Sequence, residues 1–458
     1  MYRDANQYLC EWRERPDRKP LVIRGARQVG KSTLVRIFAD AHFANLVEIN
    51  FEQDRDAASS FDASSPEKTV RLLESIQQAS IIPGRTLLFL DEIQAAPEVF
   101  ARLRYFQEQM PQLHVVAAGS LLEFILEDHQ FSMPVGRIEY LHLGPMNFEE
   151  FLLATGKDKR LEALRNFSFP GNSFAPLHPR LMDDFRDYCV IGGMPAAVKA
   201  FIDSGSYLSA ERTLEGILAT YRDDFNKYGQ RVNHDRLQKV FSRLPRLVGQ
   251  KFKYTNIDRE EQSRELRKSL HLLELARIVY RVLHSDANGV PLGAEENDRQ
   301  FKTVFLDVGL LCRACGLRMA DFQRTGDVLL INSGAVCEQF VGQHLLHSGR
   351  PFEQPRLYCW MRQQPHSSAE VDYLIQLGTD IVPVEVKAGK TGTLKSLQVF
   401  LLEKKRALAL RFNADLPSIH DTQTCISTKE ARDFRLVSLP FYLVGQAHRL
   451  CLEARGGV

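Results

Sequence analysis

The chain has 458 residues, of which 44% are hydrophobic and 25% charged, and its formal net charge at pH 7 is +2. This length predicts two to four globular domains. A net charge so close to zero excludes a uniformly basic nucleic-acid-binding protein, so any basic surface has to be local. The longest apolar stretch, 115–126, is far shorter than the ~20 residues that span a bilayer. Eight thinly spread cysteines and a charged, leader-free N-terminus predict a soluble, cytoplasmic protein without a membrane partner.

Short apolar strands alternate with helical segments over the first 146 residues, which predicts βαβ units, a parallel sheet and an α/β fold class. The predicted strands are 20–24, 46–51, 86–90 and 115–118, and the predicted helices are 31–41, 68–80 and 98–110. We therefore expect a first domain over 1–146.

The remaining chain predicts three further regions. Residues 147–228 are mainly helical and form an expected lid. Residues 229–329 combine two helices with a hairpin near 278–306, which is a winged-helix-like pattern. Residues 330–458 form a small α/β domain. Segment 229–254 carries seven Lys or Arg and one Asp. This run is either a phosphate-contacting surface or a solvated helix face.

The segment from Gly25 to Ser32 fits the pattern G-x-x-x-x-G-K-[ST], between a predicted strand and a predicted helix. Gly25 and Gly30 let backbone N–H groups surround phosphate oxygens, and the following helix presents its positive N-terminal end to the same anion. Lys31 reaches the β- and γ-phosphates, and the Ser32 hydroxyl binds Mg²⁺. The pattern predicts an ATP site with Mg²⁺. The predicted cofactor-binding residues are Gly25, Ala26, Arg27, Gln28, Val29, Gly30, Lys31, Ser32, Thr33, Asp91 and Ser120.

A second motif supports this prediction, because the apolar run 87–90 ends in Asp91 and Glu92. Asp91 is the expected second Mg²⁺ ligand, and Glu92 is the expected general base that polarises the attacking water. The alternative is a strand that meets solvent at an acidic turn.

Two further residues complete the expected site. Ser120 follows the strand 115–118, whose end lies beside the other strand ends in a parallel sheet, so it can sense the γ-phosphate. Arg137 is a candidate for stabilising charge in the transition state; Arg104 and Arg222 are competitors, and each of these residues also has a plain structural interpretation.

The stretches PLVIRGARQVGKST, LLFLDEIQ and GRIEYLHLGPMNFEEF, in this order, resemble AAA+ superfamily ATPases of a bacterial and archaeal group. So do IGGMP, KTVFLDVGL, EVDYLI and VPVEVKAGK further along the chain. The resemblance implies an ATPase core with a helical lid, a winged-helix-like middle, a restriction-endonuclease-like end and assembly into a ring or another homo-oligomer. The lid lacks a clear sensor-2 arginine.

The C-terminal region resembles the PD-(D/E)xK nuclease motif, with Asp372 on one predicted strand and Glu385 and Lys387 on the next. Residues i and i+2 of a strand share a face, so Glu385 and Lys387 point the same way. Asp372 and Glu385 would hold a metal ion and Lys387 would orient water, while Glu338 is a further expected ligand. Val371 stands where the motif has proline, and two alternating surface strands produce such a pattern without any catalytic role.

The sequence thus predicts an ATP-hydrolysing AAA+ protein that acts on DNA, with a C-terminal nuclease-like domain that binds or cleaves DNA. Gln398 is a further expected residue of that domain's site. The alternative is a nucleotide-dependent switch or remodeller of proteins, whose C-terminal domain is a binding or oligomerisation module.

Overall fold

A computed structural model describes the chain except residues 64, 128–135, 170–173, 229–232, 319–332, 365–366, 389–393, 426–430 and 457–458; the side chains of 226–228, 333, 363–364 and 367 are also left undescribed. The expected domain limits at 228/229 and 329/330 fall within these gaps. Two compact units are resolved. The first comprises Met1–Pro145, Leu275–Ile278 and Gly349–Pro355, and the second comprises Met146–Glu274, Val279–Ser348 and Arg356–Val458.

The first unit contains a parallel sheet in the order β2-β3-β4-β1-β5. Its strands are β1 (Leu21–Arg24), β2 (Asn45–Asn50), β3 (Thr86–Asp91), β4 (His114–Gly119) and β5 (Glu139–His142). β3 and β4 are buried along their whole length, as their unbroken apolar sequences require for inner strands of a parallel sheet. The predicted α/β class is confirmed. Because all strands run the same way, the carboxyl ends of β1, β3 and β4 meet at one edge.

The helices of the first unit connect these strands. They are α1 (Ala5–Glu14), α2 (Lys31–His42), α3 (Pro66–Gln77), α4 (Pro97–Gln109) and α5 (Leu122–Glu127). α3 and α4 each begin with proline, whose fixed φ suits the first helical position and whose missing N–H is not needed there. Val99, Phe100, Leu103 and Phe106 face the core from α4.

A buried ion-pair cluster lies within the first unit. Glu123 accepts hydrogen bonds from Arg24 Nε at 2.7 Å and from Arg277 Nη2 at 2.9 Å. Burial opposes ionisation of Glu123, but the two guanidinium groups outweigh it and lower the pKa of this carboxyl group. The charge of Glu123 is therefore balanced inside the fold, which is the condition for burying it at low cost.

Among the described residues, the second unit has one mixed sheet, in the order β12-β13-β11-β10-β9-β8-β6-β7. Its strands are β6 (Val279–Ser285), β7 (Glu296–Phe305), β8 (Leu357–Gln364), β9 (Ser367–Leu377), β10 (Asp380–Val386), β11 (Leu408–Asn413), β12 (Ser418–Gln423) and β13 (Asp433–Pro440). The sequence placed the β6–β7 hairpin in a separate winged-helix-like region. The structure instead pairs β6 with β8 in parallel, so the hairpin extends the C-terminal sheet.

Helices make up the rest of the second unit. They are α6 (Phe148–Ala154), α7 (Asp158–Arg165), α8 (His178–Ile191), α9 (Pro195–Ser204), α10 (Tyr207–Tyr228), α11 (His234–Arg243), α12 (Ser263–Leu275), α13 (Val308–Ala314), α14 (Ser333–Leu346), α15 (Lys395–Glu403) and α16 (Ala447–Ala454). Asn147 caps α6 in a reciprocal arrangement with Glu150, which satisfies two free N–H groups of its first turn. No helix in the described residues is long and apolar enough to cross a membrane.

The stretches IGGMP and DVGL, which the sequence offered only as a resemblance, pack against each other. The fully buried Asp307 carboxylate accepts from Gly193 N at 2.7 Å and from Leu310 N at 3.0 Å, so it ties the end of α8 to the start of α13. A Cβ at Gly193 would lie 2.0 Å from the Met146 carbonyl oxygen, a separation that no side chain tolerates. Glycine is therefore required here by close backbone approach.

We expect Gly193→Ala to lower the free energy of unfolding by about 3 kcal/mol, because the added methyl group overpacks a buried backbone contact. Gly216→Ala is the matched control: Gly216 lies in α10 with open space around its Cβ position, and alanine there should stabilise by up to ~1 kcal/mol. Urea denaturation followed by circular dichroism measures both. Equal effects of the two substitutions would contradict the packing argument.

Candidate nucleotide site and carboxylate cluster

The loop between β1 and α2 has the conformation that the phosphate-binding pattern requires. Gln28 and Gly30 both have positive φ, at 63° and 93°. A Cβ at Gly25 would lie 2.2 Å from the Leu143 carbonyl oxygen, so only glycine fits there. Lys31 begins α2, and its buried ammonium donates to the carbonyl oxygens of Gly25 at 3.1 Å and Ala26 at 2.8 Å. The loop thus curls around the lysine head group at the N-terminus of a helix, where an anion is favoured.

The two predicted magnesium ligands are in direct contact. Ser32 Oγ donates to Asp91 Oδ2 at 2.8 Å, and Asp91 Oδ1 accepts from the N–H of Glu92 at 3.1 Å. Two neighbouring oxygen ligands of one octahedral Mg²⁺ lie about 3 Å apart, since each is ~2.1 Å from the ion. Burial raises the pKa of Asp91, with the Ser32 hydrogen bond opposing it. The spacing and chemistry of this pair fit Mg²⁺.

Glu92 lies at the end of β3 with φ at +50° and is held by two partners. Its Oε2 accepts from Gln94 Nε2 at 2.6 Å and from Ser120 Oγ at 3.1 Å. Arg27 Nε in turn donates to Ser120 Oγ at 3.1 Å. The expected base, the expected γ-phosphate sensor and a loop residue thus form one hydrogen-bonded chain.

Gln94 is a contact that sequence reasoning missed as a functional residue, although it ends the quoted stretch LLFLDEIQ. Its side chain approaches Gly119 so closely that a Cβ there would lie 2.4 Å from Gln94 Oε1. Gly119, the last residue of β4, therefore leaves space for the Gln94 side chain. The available signal was its position two residues beyond Glu92, just after a strand end that meets the nucleotide loop.

Arg137 lies apart from this chain of contacts. Its Nε is 2.9 Å from Glu108 Oε1, and both side chains are at least a third exposed. The competitor Arg104 donates to the Tyr105 hydroxyl, and Arg222 lies 3.8 Å from Glu215 in the second unit. A transition-state role for Arg137 stays a prediction.

The C-terminal residues named from the sequence do come together. Asp372 lies on β9 and Glu385 on β10, and Asp372 Oδ2 accepts from Val386 N at 2.9 Å. Lys387 follows β10 directly, with its Nζ 2.5 Å from Glu385 Oε1. Asp372 and Glu385 are both buried. The pairing of β9 with β10 thus brings Asp372 close to Glu385 and Lys387, as their spacing in the sequence predicted.

An unexpected lysine lies in the same cluster. Lys302, on β7, has its Nζ 3.1 Å from Asp372 Oδ1 and 3.5 Å from Glu338 Oε2, and it also pairs with Glu370. Its side chain is 2% exposed. Burial opposes the ammonium form, but the three carboxylates outweigh it and hold the pKa of Lys302 well above its ordinary value. Sequence reasoning quoted KTVFLDVGL without assigning Lys302 a role.

Burial and the neighbouring Asp372 charge raise the pKa of both Glu338 and Glu385, while Lys302 opposes the rise in each case. Gln398 Oε1 accepts from Cys425 N at 2.9 Å, and its role in the site stays a prediction. Within the part of the chain that the structure describes, no three His, Cys, Asp or Glu side chains are arranged to hold a metal ion. The metal-site prediction for Glu338, Asp372 and Glu385 stays a prediction, and Lys302 contacts two of these three carboxylates.

The curled loop, its lysine and the Ser32–Asp91 pair at one edge of a parallel sheet define the first unit as a P-loop nucleotide-binding fold. Residues 17–152 match the family model described as an AAA domain, so this part of the chain has a P-loop ATPase fold of the AAA-like type. Residues 182–321 and 333–431 match two domains of unknown function, DUF8612 and DUF4143. No curated protein matches the chain.

Two solved structures show similarity at low identity. One is the Walker-type ATPase PABY2304 of Pyrococcus abyssi, at 16% identity and a TM-score of 0.42, over 68% of this chain and 95% of that one. The other is the ORC2 protein of Aeropyrum pernix, at 12% identity and a TM-score of 0.34, over 70% and 93%. Both TM-scores are below 0.5, so neither likeness carries weight beyond the family match.

We expect ATP affinity to fall above pH 8. Burial lowers the pKa of Lys31 to about 8 in the nucleotide-free protein, and phosphate oxygens favour the charged ammonium, so binding takes up a proton once Lys31 is neutral. The dissociation constant should be flat below pH 8 and rise about tenfold per pH unit above it. Calorimetric titration with ATP from pH 7 to 9.5, in buffers of different ionisation enthalpy, measures affinity and proton uptake together.

Lys31→Arg is the control for this titration, because a guanidinium stays charged throughout the range. Its dissociation constant, whatever its absolute value, should not change with pH. A wild-type affinity that is flat to pH 9.5 would contradict the assignment of the titration to Lys31.

Proposed function

We propose that this chain is an ATP-hydrolysing AAA+ protein that acts on DNA. The observation that carries the ATPase part is the 2.8 Å contact between Ser32 Oγ and Asp91 Oδ2, beside the Lys31 ammonium. It supports a site in which the loop 25–33 holds the phosphates, Lys31 neutralises them, and Ser32 and Asp91 hold Mg²⁺. When bound, Mg²⁺ would neutralise charge on the β- and γ-phosphate oxygens.

Glu92 would orient and polarise the attacking water in this proposal. Its hydrogen bonds to Gln94 and Ser120 hold one carboxylate oxygen fixed, which leaves the other for water. Ser120 would report the γ-phosphate to Glu92 and Arg27 through the same contacts. Arg137 would supply charge stabilisation in its own subunit or to a neighbour, as part of a proposed homo-oligomer.

The proposed DNA contact rests on the second unit. Arg243, Arg246 and Lys253 are exposed, and no ion pair among the described residues involves them. Exposed cations without an ion-pair partner are the kind of group that binds phosphates. We propose DNA binding here, and cleavage through Asp372, Glu385 and Lys387 is the further possibility that the resemblance raised.

The alternative is a nucleotide-dependent protein switch or remodeller, and one observation favours it. Two other basic residues of the same segment are already paired, Arg236 with Glu261 and Lys239 with Asp258. This pairing reduces the charge available to DNA. Under the alternative, the second unit would bind protein or mediate assembly. A cytoplasmic location is proposed for either function, and the eight cysteines are all free thiols.

We expect Glu92→Gln to lower kcat for ATP hydrolysis by at least 10²-fold while ATP binding is retained, because the amide cannot accept a proton from water. Lys31→Ala should abolish ATP binding itself. Phosphate release and calorimetry measure the two effects. The control is Glu67→Gln, a fully exposed glutamate on α3, which should leave both unchanged. A Glu92→Gln protein with normal turnover would rule out Glu92 as the base.

We expect the wild-type protein to bind duplex DNA with an affinity that falls as the salt concentration rises. The triple variant Arg243→Ala/Arg246→Ala/Lys253→Ala should bind DNA more weakly, and the slope of log K against log salt concentration should decrease in magnitude by up to ~3. The matched control removes the paired Arg236 and Lys239, which should alter the slope little. Fluorescence anisotropy at several salt concentrations measures both.

Wild type, Asp372→Ala and Lys387→Ala are then incubated with linear, single-stranded and branched DNA, Mg²⁺ or Mn²⁺, with and without ATP. Cutting that both substitutions abolish would establish a nuclease. Binding without cutting supports the proposal as stated. No binding at low salt would exclude the DNA role and favour the protein remodeller.

A further inference from the structure

The carboxylate cluster of the second unit contains its own cation. Lys302 comes from β7, whereas Asp372 and Glu370 come from β9 and Glu338 from α14. The Lys302 ammonium contacts all three carboxylates, and its side chain is 2% exposed. A lysine is rarely buried unless it is paired, and the three carboxylate partners account for the burial of Lys302.

The charges of the cluster divide between two ammonium groups. Lys387 pairs with Glu385 at 2.5 Å and keeps about a third of its side chain exposed. Lys302, which is buried, forms ion pairs with the other three carboxylates. Every carboxylate of the cluster therefore has an ammonium partner in the chain itself.

The place that Lys302 takes is the one a metal ion would need. A divalent ion bound by Glu338 and Asp372 has to lie between their oxygens at 2.0–2.6 Å from each. The Lys302 nitrogen contacts an oxygen of each of these two carboxylates, Glu338 Oε2 at 3.5 Å and Asp372 Oδ1 at 3.1 Å, which are ion-pair distances. An ammonium and a divalent cation repel each other strongly in a buried site, so the two exclude each other.

We infer that the ammonium of Lys302 is the resident cation of the Glu338–Glu370–Asp372 cluster and stands in the place of a divalent metal ion. The cluster is then held together without metal, through a tether to β7. This inference is independent of the proposed DNA function, since it concerns which cation the carboxylates bind. It also follows that removal of the ammonium converts the cluster into a metal site, because Glu338 and Asp372 are then left close together without a cation.

The test is a count of bound Mn²⁺ by electron paramagnetic resonance in nucleotide-free, full-length protein. Wild type and Asp372→Asn should bind the same number of Mn²⁺ ions per chain. Lys302→Met should bind one more, and adding Asp372→Asn to it should remove that ion again. Mn²⁺ should raise the Tm of the Lys302→Met variant more than it raises the Tm of wild type.

Lys302→Met leaves buried carboxylates unbalanced and can fail to fold, so a second variant preserves the charge. Lys302→Met/Glu370→Gln removes one positive and one negative charge, the latter from a side chain that is 38% exposed. It keeps Glu338, Asp372 and Glu385 and should gain the same Mn²⁺ ion. Lys387→Met is the matched control, since Lys302 remains in place and no ion should be gained.

Two results would overturn the inference. One is a Mn²⁺ ion in wild type that Asp372→Asn removes, because the metal and the ammonium would then coexist. The other is a folded Lys302→Met/Glu370→Gln protein that binds no additional Mn²⁺, because the position of Lys302 would then not be a cation site.

Discussion

Buried charge that requires a partner inside the protein is the constraint on which both units depend. Removing an ionised group from water costs several kcal/mol, which only close opposite charges or hydrogen bonds offset. In the first unit, Glu123 meets two arginines and Lys31 meets loop carbonyls. In the second unit, Lys302 meets three carboxylates and Asp307 meets backbone N–H groups. Glu123, Asp307 and Lys302 each join segments that are far apart in the chain, so meeting the constraint also fixes the fold there, whereas Lys31 fixes the shape of its own loop.

The nucleotide site applies this constraint to chemistry. In the parallel sheet, the carboxyl ends of β1, β3 and β4 lie at one edge. Polar side chains that would be costly to bury in a core are tolerated at this edge because they form hydrogen bonds with one another. Ser32 donates a hydrogen bond to Asp91, and Gln94 and Ser120 donate hydrogen bonds to Glu92. Oxygens held at these spacings are preorganised for a cation and for water, which is how a rigid site contributes to phosphoryl transfer.

The carboxylate cluster shows the limit of motif-based reasoning. Its residues match the nuclease pattern in type and spacing, and β9 and β10 bring Asp372 and Glu385 together as expected. The chemistry of a carboxylate pair depends, however, on which cation lies between the oxygens. Lys302, contributed by another strand, changes that cation from an exchangeable metal ion to a tethered ammonium. Function therefore has to be argued from the site and not from the fold alone.

The sequence by itself determined the α/β class, the phosphate-binding loop and the acidic end of β3, because each is written in a short contiguous stretch. It also predicted the meeting of Asp372, Glu385 and Lys387, since the alternation of strands fixes which residues share a face. Only the tertiary structure decided the partners of these residues. Lys302 is 70 positions from Asp372, and Arg277 is 154 positions from Glu123. Such contacts, like the union of the β6–β7 hairpin with the C-terminal sheet, depend on strand order and helix packing, which local patterns do not encode.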